Sequence, residues 1–70
     1  MNRKEITSIN NRTYELMYNN YYDITTVTEI IDNGNIESLE LKYIGYCYGD
    51  LKDNETINFI KDMIYSYEKK

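Results

Sequence analysis

The sequence predicts a single α+β domain over residues 1 to 70. It is built as an N-terminal helix, an antiparallel β-hairpin and a C-terminal helix packed on one face of the sheet. Three observations predict this fold: apolar residues at helical spacing near the C terminus, an Asn-Gly pair between two strand-like runs in the middle, and a second helical stripe near the N terminus. One domain is expected, because a chain this short buries only about 60% of the surface that its unfolded form exposes.

The C-terminal helix is predicted over residues 54 to 68. Its apolar residues recur every three or four positions and form one stripe: Ile57, Ile60, Met63, Ile64 and Tyr67. Phe59 and Tyr65 fall off the centre of that stripe, so they either widen the core contact or stay exposed. Asp53 is placed to cap the helix, with Lys69 and Lys70 at its carboxyl end, where positive charge suits the helix dipole.

The centre of the chain predicts a hairpin that turns at Asn33-Gly34, because both central positions of a type I′ turn need a positive φ. A two-residue loop pairs Asp32 with Asn35 and fixes every later pair. In this register Thr28 faces Leu39, Thr26 faces Leu41 and Ile24 faces Tyr43. One face is then apolar and is expected to carry both helices, while the other, mainly polar face is left to solvent. Because a two-stranded sheet is marginal, a third short strand over residues 46 to 48, or a strand from a second copy, would complete it.

The first twenty residues allow two interpretations. A helix is favoured by the stripe of Ile6, Ile9, Thr13, Leu16 and Met17, with Asn2 as its cap. The alternative is a strand over residues 13 to 18 that turns at Asn19-Asn20. That strand would place the carboxylate of Glu15 on the core face, where an unpaired charge is costly, so the sequence favours the helix.

Missing residue types argue against catalysis. The chain has no histidine and one cysteine, Cys47, so Ser-His and Cys-His sites, internal disulfides and zinc-type ligand sets cannot be built. The three glycines are too scattered for a phosphate-binding loop. We therefore predict no catalytic site, no metal site, no cofactor and no enzymatic activity. A metal-dependent enzyme that uses clustered carboxylates is left as a third option.

The net charge of −4 is concentrated in the centre of the chain. Residues 23 to 55 hold eight carboxylates and two lysines, which gives −6, whereas each flanking segment carries +1. An acidic centre argues against direct binding of nucleic acid and of an anionic membrane, since both need a basic face. The matching partner is a basic surface of a protein or ribonucleoprotein. The alternative is that the carboxylates only keep the protein soluble.

We expect the partner-binding surface to combine these carboxylates with exposed tyrosines, which are enriched at interface hot spots. The alternative for the tyrosine-rich stretch, residues 44 to 50, is that it simply ends the second strand, with Gly45 as a bulge and one tyrosine packed. The predicted partner-binding residues are Asp23, Glu29, Asp32, Glu40, Tyr46, Tyr48, Asp50 and Asp53.

In its size, its composition rich in Asn, Ile and Tyr, and its charge pattern over residues 23 to 55, the chain resembles the small inhibitors encoded by phages and mobile elements, including anti-CRISPR proteins. The resemblance implies a stoichiometric inhibitor that imitates nucleic acid and docks in the basic channel of a host complex. The alternative function is a structural or regulatory homodimer, which so small a core favours. Because no apolar run has the length of a signal peptide or a membrane span, a cytoplasmic location is expected.

Overall fold

The computed structural model describes residues 2 to 32, 34 and 39 to 70. Within them lie four strands and one helix: β1 (Arg3–Ile9), β2 (Arg12–Asn19), β3 (Ile24–Ile31), β4 (Glu40–Tyr48) and α1 (Asn54–Glu68). The strands form one antiparallel sheet in the order β1-β2-β3-β4, so each strand pairs with its neighbour in the chain and β1 and β4 are the edges. No helix in the described part of the chain is long and apolar enough to cross a membrane.

The predicted N-terminal helix is wrong, because this part of the chain forms the hairpin β1–β2. Its two-residue turn is Asn10-Asn11, with φ angles of 53° and 65°, and the pair Ile9–Arg12 closes it. A type I′ turn requires a positive φ at both central residues, and asparagine is one of the few residues that adopts such angles readily. The objection to a strand at residues 13 to 18 fails because Glu15 pairs with Thr28 on the face that α1 leaves open.

The predicted hairpin register is also wrong. Thr28 lies opposite Tyr43 and Thr26 opposite Tyr46, four and five residues further along the chain than a two-residue loop would place them. The connection is longer, since β4 begins only at Glu40. Asn33 of the predicted turn and Asn35, the predicted partner of Asp32, lie outside the described residues. The stretch predicted as a separate third strand, residues 46 to 48, is the end of β4 itself.

The C-terminal helix, α1, spans the predicted residues 54 to 68. Asp53 occupies its N-cap position, although the aspartate side chain makes no capping hydrogen bond. The helix packs across one face of the sheet. The buried apolar residues between the two layers are Tyr14, Val27, Leu51, Ile60 and Ile64. Leu16, Met63 and Tyr67 are among the half-buried residues that extend this core.

The two faces of the sheet are the reverse of those predicted. The helix covers the face that carries Thr25, Val27 and Glu29, all three of which are buried. The face expected to be covered, with Ile24 and Ile30, is open instead. The physical reason is β2: it places Tyr14 opposite Glu29 and Leu16 opposite Val27, which makes the supposedly polar face the centre of an apolar layer.

Candidate protein-binding surface

The uncovered side of the sheet is the candidate site. Its apolar residues, termed here the open sheet face, are Ile6, Met17, Ile24, Ile30, Leu41, Tyr43, Tyr46 and Tyr48. The four from β4 are each more than half exposed. At about 200 Å² for each aromatic side chain, the three tyrosines alone expose roughly 350 Å². Monomeric soluble proteins rarely expose apolar patches larger than a few hundred Å², so this surface is typical of an interaction site.

A β-bulge brings the three tyrosines to the same face. Val27 pairs with Gly45 and Thr28 with Tyr43, which leaves Ile44 as an extra residue in β4. Side chains alternate along a regular strand, so residues 43 and 46 would otherwise point to opposite faces. The rings of Tyr46 and Tyr48 contact each other edge to face, with centroids 5.9 Å apart. The row of tyrosines is therefore a product of the bulge.

The outer edge of β4 opens into a groove of about 560 Å³ between β4 and α1. This β4-edge groove is lined by Tyr46, Cys47, Tyr48, Phe59 and Met63. Phe59 is 65% exposed, and Glu55 and Asp62 flank it on the same helix. Burial raises the pKa of the Cys47 thiol, which keeps it protonated and weakly nucleophilic.

The carboxyl end of β4 is fixed by Gly49, whose φ is 114°. Its N–H donates to the carbonyl of Asp23 at 2.8 Å, and its own carbonyl accepts a hydrogen bond from Thr25 Oγ1 at 2.8 Å. These bonds fix the end of β4 against the start of β3. A Cβ at Gly49 would overlap Thr56 Oγ1 in the first turn of α1.

The predicted acidic residues do not share one surface. Asp23, Asp50 and Asp53 lie at the end of the sheet where β3 and α1 begin. Glu29, Asp32 and Glu40 lie toward the opposite end, where β3 finishes. At about 3.3 Å per residue, the two groups are separated by roughly 20 Å along β3.

Glu29 is only 4% exposed and is held in an ion pair with Arg12, whose side chain is 40% exposed. Arg12 donates to both of its carboxylate oxygens, from Nε at 2.7 Å and from Nη2 at 2.9 Å, and the Tyr67 hydroxyl donates to Oε1 at 2.5 Å. The hydrogen bonds from Arg12, joined by that from Tyr67, hold the pKa of this carboxyl below its usual range. This side chain cannot contact a macromolecular partner. It ties β2 and β3 to the carboxyl end of α1.

A second polar contact at the same end joins the sheet to the helix. The hydroxyl of Tyr14 donates to Glu68, which also accepts from Asn10 Nδ2 at 3.0 Å. Burial, followed by the hydrogen bond to Glu68, raises the pKa of Tyr14. These bonds let a buried tyrosine satisfy its hydroxyl at the rim of the core.

The other predicted acidic residues are all accessible to some degree. Asp50 forms an ion pair with Arg3, and Asp23 accepts a hydrogen bond from Tyr18 at 2.8 Å. Asp32 accepts the N–H of Gly34 at 2.8 Å. Asp53 and Glu40 are exposed. These residues flank the open sheet face without forming a row upon it.

Tyr46 and Tyr48 both lie on the open sheet face, as partner binding requires. Sequence reasoning missed Leu41 and Tyr43 on the open sheet face, and Phe59 in the β4-edge groove. Phe59 had a signal, since it falls off the apolar stripe of α1. The other two depend on the bulge and on the longer β3–β4 connection.

No family model, curated protein or solved structure matches this chain. In the described ranges, no group of three or more Cys, Asp or Glu residues is arranged to hold a metal ion.

Proposed function

We propose that this chain is a non-catalytic protein that binds another protein through its open sheet face and acts by stoichiometric occlusion of the surface it covers. The observation that supports this most is the row of Leu41, Tyr43, Tyr46 and Tyr48, exposed along β4. Tyrosine is enriched at interface hot spots because it combines a large apolar ring with a polar tip. A rigid sheet holds these rings in place, so little conformational entropy is lost on binding.

The charge around the row favours a partner with a basic surface. Asp23 lies next to the Ile24–Tyr48 pair at one end of the row, and Glu40 precedes Leu41 at the other. Carboxylates that surround an apolar centre raise the association rate with a basic partner and disfavour an acidic one. An inhibitor of a host nucleic-acid-handling complex, of the kind that anti-CRISPR proteins represent, fits this chemistry. Tyrosines then supply the anchors, with carboxylates at the periphery.

We place the protein in the cytoplasm, where a lone thiol stays reduced.

The test replaces two anchors and compares them with an equally exposed tyrosine elsewhere. In the Tyr46→Ser/Tyr48→Ser variant the sheet face loses two rings, whereas the control Tyr65→Ser loses one ring, 58% exposed, from α1. Tagged wild-type and control proteins should retain the same protein from a host lysate, and the double variant should lose it. With that protein purified, binding should be one to one and about 100-fold weaker for the double variant, as for two moderate hot spots. A partner that all three proteins bind equally well would refute the proposal.

A homodimer is the second candidate, because a two-fold interface buries the same patch of both copies and the open sheet face is such a patch. Sedimentation velocity at micromolar concentration separates the two functions. A dimer that Tyr46→Ser/Tyr48→Ser dissociates would support self-association. A protein that stays monomeric at micromolar concentration would exclude the homodimer.

A further inference from the structure

We infer that the β4-edge groove receives an extended, basic segment of the partner protein, which joins the sheet as a fifth strand beside β4. The inference rests on the proposed function, since it specifies how part of the same partner is bound. It draws on three features of the edge: its free backbone, the shape of the groove and the charge of its helical wall.

The backbone of β4 is available for pairing. Within the described residues, β4 has a neighbouring strand on one side only. Edge strands are commonly protected by proline, by charged side chains or by being very short. β4 is nine residues long, has no proline, and carries its charges, Glu40 and Lys42, before the bulge. The stretch from Gly45 to Tyr48 therefore offers an unprotected edge.

The shape of the groove suits an extended chain. Tyr46 and Tyr48 lie on the side of the open sheet face, while Cys47, Phe59 and Met63 lie on the side of α1. Side chains of a strand alternate between the two faces of a sheet. Successive residues of an added strand would thus meet the tyrosines and the helical wall in turn. Main-chain hydrogen bonds supply affinity in this mode of recognition, and the side-chain contacts supply specificity.

The charge of the helical wall identifies the segment as basic. Glu55 and Asp62 lie one turn before and one turn after Phe59, and both are exposed. A lysine or arginine on the α1 side of the added strand would pair with them. A second copy of this chain would instead bring its own Glu55 and Asp62 to the same edge, where like charges repel. The edge therefore fits a basic segment of another protein better than it fits a second copy.

The probe is a peptide selected on the intact protein from a displayed library of random 12-residue peptides. We expect the selected peptides to alternate apolar residues and to carry lysine or arginine. The best one, synthesised, should bind one to one. Phe59→Ser should weaken its binding at least tenfold, Glu55→Gln/Asp62→Asn should reduce the salt dependence of binding, and the control Tyr65→Ser should change neither. Since Cys47 is the only cysteine, the bound peptide should also slow thiol modification by a disulfide reagent at least tenfold.

Several results would overturn the inference: no enriched peptide, enrichment of acidic peptides, binding that is insensitive to Phe59→Ser, or binding that leaves Cys47 unprotected. Protection of Cys47 that rises with protein concentration in the absence of peptide would assign the edge to a second copy and overturn it as well. Failure here is distinguishable from failure of the proposed function. If the captured partner is lost by Tyr46→Ser/Tyr48→Ser but retained by Phe59→Ser, the strand addition is wrong and the open sheet face stands.

Discussion

Replacing Gly49 by alanine should destabilise the fold far more than replacing Gly45 by alanine. Gly49 has a φ of 114°, a conformation that residues with a Cβ rarely adopt, and the new Cβ would overlap Thr56 Oγ1. Thr56 is buried and β-branched, so its side chain has little freedom to move away. At Gly45 the new Cβ would lie 3.0 Å from Met63 Sδ, on a flexible side chain that can shift by a few tenths of an ångström.

The magnitude follows from two terms. Holding alanine in an unfavourable backbone conformation costs about 2 kcal/mol, and relieving an overlap in a packed site costs a further 1 to 2, so Gly49→Ala should lose roughly 3 to 4 kcal/mol. A domain of this length has a total free energy of unfolding of roughly 4 to 10 kcal/mol, so the loss is a large part of it. Gly45→Ala should lose less than about 1 kcal/mol.

Urea unfolding followed by circular dichroism measures both free energies, and a double-mutant cycle isolates the overlap. Adding Thr56→Ala to Gly49→Ala removes the overlapping oxygen but leaves the strained backbone, so it should recover about 1 to 2 kcal/mol. Equal stability of the two glycine variants, or no recovery of stability on adding Thr56→Ala, would contradict this prediction.

Three further experiments, with four substitutions between them, test the core and its polar rim. Because the pKa of Glu29 is lowered in the folded protein, its charge stabilises the fold above the unfolded pKa of about 4.3, and this stabilisation is lost as the pH falls through the folded pKa. Glu29→Gln should therefore flatten the fall in urea midpoint between pH 6 and pH 3, and an unchanged slope would contradict the ion pair. The pKa of Tyr14 is raised in the folded protein, so its pH dependence runs in the opposite direction. Its contribution to stability is complete below the unfolded pKa of about 10 and is lost as the pH rises above that value. Tyr14→Phe should therefore reduce the loss of stability between pH 9 and pH 11. Ile64→Ala should lose about 2 to 5 kcal/mol in urea unfolding, whereas Phe59→Ala, at an exposed position, should stay within about 0.5 kcal/mol; similar losses would mean that the helix packs by a different face.

The C-terminal helix could be predicted because its signals are local. The apolar stripe, the N-cap residue Asp53 and the lysines that follow the helix all fall within one short run of residues. Ile60 and Ile64, at the centre of the stripe, are buried. The segment that forms the N-terminal hairpin was wrongly predicted to be a helix, because Ile6, Ile9 and Leu16 are spaced as on one face of a helix. The turn that separates them is Asn10-Asn11, a weaker hairpin signal than Asn-Gly.

The faces of the sheet could not be read from β3 and β4 alone. Glu29 looks like a solvent-exposed residue until its ion-pair partner is known. That partner, Arg12, lies 17 residues away, at the start of a segment for which the sequence favoured a helix over a strand. The row of tyrosines could not be predicted for a different reason. Gly45 indicated a bulge only as an alternative, and the predicted register did not place Tyr43 and Tyr46 on one face. The extra residue is Ile44, and Gly45 beside it permits the close approach of Met63.

The meander order of the sheet also sets an order of assembly. Each pair of neighbouring strands is consecutive in the chain. Pairing them therefore closes only a short loop, and the entropic cost of closing it is small. The hydrogen bonds from Asn10 and Tyr14 to Glu68, in contrast, span 58 and 54 residues and can form only when α1 docks. We expect the sheet to form hairpin by hairpin and the helix to close over it last. During synthesis from the amino end, a nascent chain would thus display both faces of its sheet until α1 has left the ribosome.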